Sequence, residues 1–170
     1  MTPCKIRRAL ASEAPQLTFI AIESKRHWGY PDHWINLWTE SLTISSTYID
    51  QHQVYLAEYD FTPVGFYALL KGTPWELDHL WVRPGWIRKG LGTQLFRHAM
   101  ARLHELAPGA VLGIESDPNA EQFYLHMGAR RVKQIERNWD GLVRVLPYLE
   151  IQPDGRIIDP LHQSHGSGRL

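Results

Sequence analysis

The stretch RPGWIRKGLGTQLFRHAM, from Arg83 to Met100, narrows the architectures open to this chain more than any other segment. It follows the run WELDHLWV directly and mixes Gly85, Gly90 and Gly92 with basic residues. It then sets Leu91, Leu95, Ala99 and Leu103 at helical spacing, with Phe96 and Met100 widening the stripe. The unit reads as a strand, a loop of bare basic backbone, and an amphipathic helix. Exposed N–H groups and the positive end of a helix dipole at such a junction favour an anion, and a phosphate fits both. A P-loop is excluded: Gly85 and Gly90 have its spacing, but Leu91 and Gly92 stand where Lys and Ser or Thr are needed. A dinucleotide fingerprint starts well with Gly90-x-Gly92 and a later Glu115, yet Leu95 occupies the place of its third glycine. A plain connection needs neither the glycine pair nor Arg88 and Lys89.

The rest of the chain supplies alternating strands and helices. With 170 residues and 44% hydrophobic content, one domain with a sizeable core is expected. CKIRRAL reads as a first strand, and Ser12 as the cap of a helix over Glu13 to Lys25. Gly29 and Pro31 break the chain, and Asp32 caps a second helix carrying Trp34, Ile35, Leu37 and Trp38. A short helix follows over Ser45 to His52. Val54 to Tyr59 and Val64 to Leu70 form a hairpin, with WELDHLWV as the next strand. AVLGIES is a buried strand, Asp117-Pro118 signals a helix start and Gly128 its end, and ARRVKQIER with VRVLPYLEI closes the sheet. The domain is expected over residues 4–151, and residues 152–170 as a loose tail with few apolar anchors.

Composition removes several classes of partner. Lys plus Arg and Asp plus Glu both number 18, so neither a general nucleic-acid binder nor a polybasic membrane-surface protein is expected. Cys4 is the sole cysteine, so no intrachain disulfide can form. The N-terminal segment lacks an apolar signal core and no long apolar run occurs, which reads as a cytoplasmic protein without membrane attachment. Nine histidines are present without His-Glu-x-x-His or Cys/His spacing, so no metal is expected.

IRKGLG resembles the pyrophosphate loop of the GNAT acetyltransferase superfamily, Arg/Gln-x-x-Gly-x-Gly/Ala, and departs from it at Ile87. In that family the position contributes mainly its backbone N–H. ESDPNAEQFYLHMGARRV resembles the family's second signature, whose positions fall on Asp117, Ala120, Phe123, Tyr124 and Gly128. SKRHWGYP is similar to a subset of bacterial members of unassigned substrate. The resemblance runs from Ile6 to Ile151. It implies a single α/β domain of the α+β type, with a central mixed, largely antiparallel sheet flanked by helices. It also implies that acetyl-coenzyme A binds at Val82, Ile87, Arg88, Lys89, Gly90, Leu91, Gly92, Thr93, Asp117, Asn119, Phe123 and Tyr124.

Acetyl transfer to an amine needs a base, because an alkyl amine with a pKa of about 10 is protonated at neutral pH. Regular alternation puts Glu76 and Asp78 on one face, and a β-bulge would change which points inward and could bring in His79. Glu76 has the spacing of the base in histone-acetyltransferase relatives, and Asp78 that of spermidine/spermine acetyltransferase relatives. The resemblance implies a backbone N–H near Val82 for the developing oxyanion and Tyr124 as proton donor to the departing thiolate. It places the acceptor between the first two helices, at His27, Trp28 and Tyr30. Cys4 is remote from both signatures, so direct transfer in a ternary complex is expected. The reading is an N-acetyltransferase acting on a small-molecule or peptide amine. The alternatives are a non-catalytic acyl-coenzyme A sensor of the same fold and, on the glycines alone, a nucleotide-binding protein. Near-zero net charge permits a homodimer.

Overall fold

The computed structural model describes Cys4–Pro153. Beyond β1 (Lys5–Arg8) and a 3-10 turn (Ala11–Glu13), four helices follow: α1 (Ala14–His27), α2 (Asp32–Leu37), α3 (Thr39–Leu42) and α4 (Ser46–Gln51). Next come β2 (Gln53–Tyr59), β3 (Thr62–Leu70), β4 (Trp75–Val82) and α5 (Leu91–Leu106). β5 (Leu112–Glu115), α6 (Glu121–His126), β6 (Arg130–Trp139) and β7 (Leu142–Ile151) complete the domain. The expected tail lies, beyond Pro153, outside the described residues.

The strands form one 7-stranded sheet in the order β1-β2-β3-β4-β5-β7-β6. Each neighbouring pair is antiparallel except β4 and β5, which run parallel. Each face carries its own core. Leu91, Leu95, Phe96, Ala99 and Leu103 of α5 pack on Tyr67, Leu69, Leu112 and Leu149. On the other face Leu17, Ile20 and Ala21 of α1, with Ile35 and Trp38, cover Val54, Leu56, Phe66 and Ala68. Most of a helix's stability in a protein comes from packing of its apolar face, and this buried stripe is what holds α5.

Three helix starts differ from expectation. Ser12 caps nothing; the Glu13 carboxylate accepts from Leu10 N–H at 2.8 Å and pairs with Arg7 at 2.7 Å, tying the start of α1 to β1. Asp32 is the first residue of α2 and makes no side-chain cap. α6 starts at Glu121 instead of following Asp117 directly, because the Asp117 carboxylate closes a local turn on Asn119 N–H (2.9 Å) and is also held by Lys25 and Tyr30. Ser45, by contrast, caps α4 through Tyr48 N–H.

Two irregularities position the site. β4 and β5 pair only through Trp75 with Leu112 and Glu76 with Gly113, and then diverge. β4 also carries a bulge: Ala68 faces His79 and Leu69 faces Leu77, leaving Asp78 as the extra residue. The bulge reverses the alternation. Trp75 and Leu77 face the α5 core, but beyond it Leu80 and Val82 do, while Trp81 joins the opposite core. Glu76 and Asp78 are therefore not related by regular alternation.

Candidate active site

The diverging ends of β4 and β5 open a cleft of about 360 Å³. One wall is Leu77, Asp78, Leu80, Trp81 and Val82 of β4, continuing into Ile87 and Arg88. Gly90, Gly92 and Thr93 line the start of α5. The opposite wall runs from Glu115 through Asp117 and Asn119 to Phe123 and Tyr124, and Ser24 and Trp28 close one end. The second signature and the glycine loop thus face one another across the gap.

Backbone donors point into this gap from two directions. Within α5 the first helical bond is Gln94 N–H to Gly90 C=O, so the amides of Leu91, Gly92 and Thr93 lack helical acceptors. On β4, Arg83 N–H bonds Val64 C=O at 2.9 Å, which fixes the phase of the ladder. Alternate residues of an antiparallel strand turn their amides away from the partner, so Val82 and Leu80 direct theirs toward the opening. The Val82 carbonyl accepts from Ser24 Oγ at 2.9 Å.

The two loop glycines have different reasons. Gly90 has a φ of +80°, a left-handed backbone that glycine adopts without penalty. Gly92 has no such requirement, since a Cβ there would make ordinary contacts with Phe123 at 3.6 Å and Val82 at 3.9 Å. What a side chain at Gly92 does take up is cleft volume beside the free amides. Arg88 lines the cleft, whereas the Lys89 ammonium lies 5.4 Å from the Trp86 ring.

Tyr124 is 7% exposed and borders the cleft. Its ring meets Phe123 edge-on at 5.1 Å. Burial, with the Asp117 charge adding, pushes its hydroxyl well above the usual phenol range, so it stays protonated at neutral pH. Asp117 is itself a hub. Its carboxylate accepts from Lys25 Nζ at 2.5 Å and from the Tyr30 hydroxyl at 3.0 Å. Burial pulls the Asp117 carboxyl up, but the Lys25 charge and these donors outweigh it, and the net shift is downward. Burial lowers Lys25, and Asp117 opposes that only in part. The Tyr30 hydroxyl also receives Asn119 Nδ2 at 3.0 Å and Arg144 at 2.8 Å.

The base candidates separate by position. Asp78 borders the cleft with its side chain 41% exposed, and its Oδ2 accepts from the Tyr48 hydroxyl at 2.5 Å. Glu76 receives the Tyr148 hydroxyl at 2.7 Å, and burial lifts its carboxyl, partly opposed by that bond. His79 is 6% exposed; burial depresses its imidazole, partly opposed by Asp78. Glu76, His79, His27, Tyr30, Lys89 and Leu91 are not among the residues lining the cleft. Leu91 is a core side chain that offers only its amide, and Tyr30 reaches the cleft through Asp117. Sequence reasoning missed Ser24, Tyr48 and Tyr148. Tyr48 lies 30 residues from Asp78, and no spacing rule connects an α4 ring to a bulged β4 carboxylate. Among the described residues no group of His, Cys, Asp and Glu could hold a metal ion, and no helix is long and apolar enough to cross a membrane.

A mixed sheet parted at its parallel seam, with helices on both faces and a glycine-lined helix start at the gap, is the GNAT fold. Residues 34–147 match the family model described as an acetyltransferase (GNAT) domain, and the chain belongs to that family. No curated protein matches it in sequence. Among solved structures, a GCN5-related N-acetyltransferase from Rhodopseudomonas palustris is similar, with a TM-score of 0.74 and 19% identity over 89% of this chain and 97% of that one. The PaiA N-acetyltransferase of Thermoplasma acidophilum, in complex with coenzyme A, has a TM-score of 0.72 at 18% identity, covering 89% and 99% of the two chains. The ribosomal-protein-S18-alanine N-acetyltransferase of Escherichia coli has a TM-score of 0.62 at 16% identity over 88% and 94%.

Proposed function

We propose that this protein transfers an acetyl group from acetyl-coenzyme A to an amine of a small molecule or peptide, directly and without an acyl-enzyme. The observation that carries the reading is the meeting of three features in one cleft: the free amides of α5, the protonated hydroxyl of Tyr124, and the carboxylate of Asp78. Bound coenzyme A supplies the activated acetyl thioester. The pyrophosphate suits the amides of Leu91, Gly92 and Thr93, with Arg88 alongside. That these amides lack helical acceptors, and that Gly92 leaves room beside them, supports the fit.

The remaining roles follow from what each group can do. Asp78 is the base, taking the proton from the incoming ammonium as the nitrogen approaches the thioester carbonyl. The inward amides of Leu80 and Val82 stabilise charge developing on the carbonyl oxygen. Tyr124 donates its proton to the departing sulfur, while the nitrogen, now bonded to the acetyl carbon, loses its second proton to solvent, from which Tyr124 regains one. The coenzyme A complex of the PaiA structure and the amine acceptor named for the S18-alanine enzyme are consistent with this chemistry on this fold.

The test is thiol release from acetyl-coenzyme A against a panel of amines, for the wild-type chain and Tyr124→Phe. Turnover with at least one amine is expected. Tyr124→Phe should lose about a hundredfold in kcat with little change in coenzyme A affinity, since the ring still packs while the proton is gone. Tight coenzyme A binding without turnover on any amine would replace this reading with that of a sensor.

A further inference from the structure

Behind Asp78 runs a string of side chains with no assigned role. Trp81 Nε1 donates to His79 Nδ1 at 2.9 Å. His79 Nε2 lies 3.4 Å from Asp78 Oδ2, and the same oxygen accepts from the Tyr48 hydroxyl. An indole nitrogen can only donate, so His79 Nδ1 must carry its lone pair, and the proton of the neutral ring sits on Nε2. That nitrogen is the one nearest Asp78, at a separation longer than a well-formed hydrogen bond. The ring is enclosed by Phe66 of β3 at 5.8 Å and Tyr48 of α4 at 5.7 Å, with His52, the residue after α4, behind Tyr48 at 4.6 Å. A second proton on the imidazole would point at the indole N–H, donor against donor, in a buried site.

We propose that Trp81, His79 and Tyr48 are positioning residues that anchor Asp78 by Oδ2 and present Oδ1 to the acceptor amine. This rests on the acetyl-transfer reading of the same cleft. Oδ1 makes no hydrogen bond to another side chain among the described residues, whereas Oδ2 accepts from Tyr48 and has His79 Nε2 at 3.4 Å. In the step concerned, an N–H bond of the ammonium breaks, an O–H bond forms at Oδ1, and the electron pair stays on nitrogen for attack on the carbonyl carbon. Without the string, the bulged carboxylate is free to rotate. With it, Asp78 keeps one oxygen for the protein and one for the substrate. Trp81 acts at a distance by setting which imidazole nitrogen carries the proton.

The test begins with nitrogen NMR of the histidine-labelled chain bound to coenzyme A, the His79 signals being those missing from His79→Gln. A neutral ring with its proton on Nε2, unchanged between pH 5.5 and 8 (roughly the range in which an ordinary histidine titrates), is expected. Trp81→Phe should release the tautomer and let the ring titrate. With an amine that turns over, Tyr48→Phe should lower kcat by roughly tenfold to a hundredfold at unchanged KM for acetyl-coenzyme A. Trp81→Phe should add an ionisation to the pH profile that the wild type lacks. His79→Gln, whose amide can still donate to Oδ2, should keep more activity than His79→Leu. A wild-type ring protonated on Nδ1 or on both nitrogens would overturn the proposal, and so would unchanged kcat in both Tyr48→Phe and Trp81→Phe. If a variant fails to fold, the wild-type tautomer still decides. The expected tautomer with coenzyme A bound but no amine turned over would sink the acetyl-transfer reading, and the catalytic role with it, while leaving the string standing.

Discussion

Gly92 and Glu76 separate what the fold needs from what the ligand needs. Since a methyl at Gly92 meets only ordinary contacts, the protein alone gives no reason for a glycine at the second helical position. Gly92→Val should therefore melt within a few degrees of wild type yet bind coenzyme A at least about tenfold more weakly, because its branches fill space over the free amides. Calorimetry beside a melting curve checks both halves; equal affinity would remove the pyrophosphate from this helix. Glu76 makes the opposite case. Burial raises its carboxyl above the ordinary value, so the folded state favours the protonated form. The stability this contributes is present below the ordinary glutamate pKa and is lost as pH rises through the raised one. Glu76→Gln keeps an acceptor for the Tyr148 hydroxyl and carries no charge. It should melt higher than wild type at pH 8, far above the ordinary glutamate value of about 4.3, with the difference shrinking on acidification. A difference that grows with acid would contradict the burial argument.

Among the elements, the junction of α1 and α2 with the β5–α6 connection is where the acceptor side is braced. Lys25 of α1 pairs with Asp117 while its ammonium sits 4.5 Å from the Trp38 ring, and Tyr30 ties in Arg144 of β7. Asp117→Asn leaves Lys25 buried without its counter-charge and should cost about 3 kcal/mol or more in a urea melt at neutral pH. The sign with pH follows from the lowered Asp117 carboxyl. Its contribution is complete above the ordinary aspartate value and fades as pH falls through the lower native one, so wild type and variant should converge in acid. Convergence in alkali instead would refute the assignment. The sequence makes Asp117 conspicuous, since it opens the second signature, but as a contact to coenzyme A; its bonds to Lys25 and Tyr30 join segments about ninety positions apart, which no local pattern reports. The hairpins and the amphipathic α5 were legible because alternation and helical spacing are local. Ser12 and Asp32 look like caps, yet other groups occupy those ends, because an ion pair from β1 outcompetes a hydroxyl and a proline precedes α2. The bulge at Asp78 was legible only as an option, since one extra residue leaves no mark on composition.

At the scale of the whole molecule, the sheet has a seam. β1 to β4 and β5 to β7 are each continuous ladders, but between β4 and β5 the pairing stops at Glu76 and Gly113, and past that point the halves are joined through the helices and side chains around the cleft. Coenzyme A lying in this gap would bond to the α5 start and the inward amides of β4 while packing on Phe123 and Tyr124 across it. A ligand that binds only the folded state adds about 2.7 kcal/mol at a hundred times its dissociation constant. For a domain of this size each kilocalorie moves the melting temperature by about 2–4 °C, so saturation at that level should raise it by roughly 5–10 °C. The location of the effect is the sharper measure. Amides of Leu80, Val82, Leu91, Gly92 and Thr93 should gain hydrogen-exchange protection on binding, while those of β1, at the far edge of the sheet, should change little. A uniform gain would report only global stabilisation, and protection confined to β6 and β7 would move the binding site away from the seam.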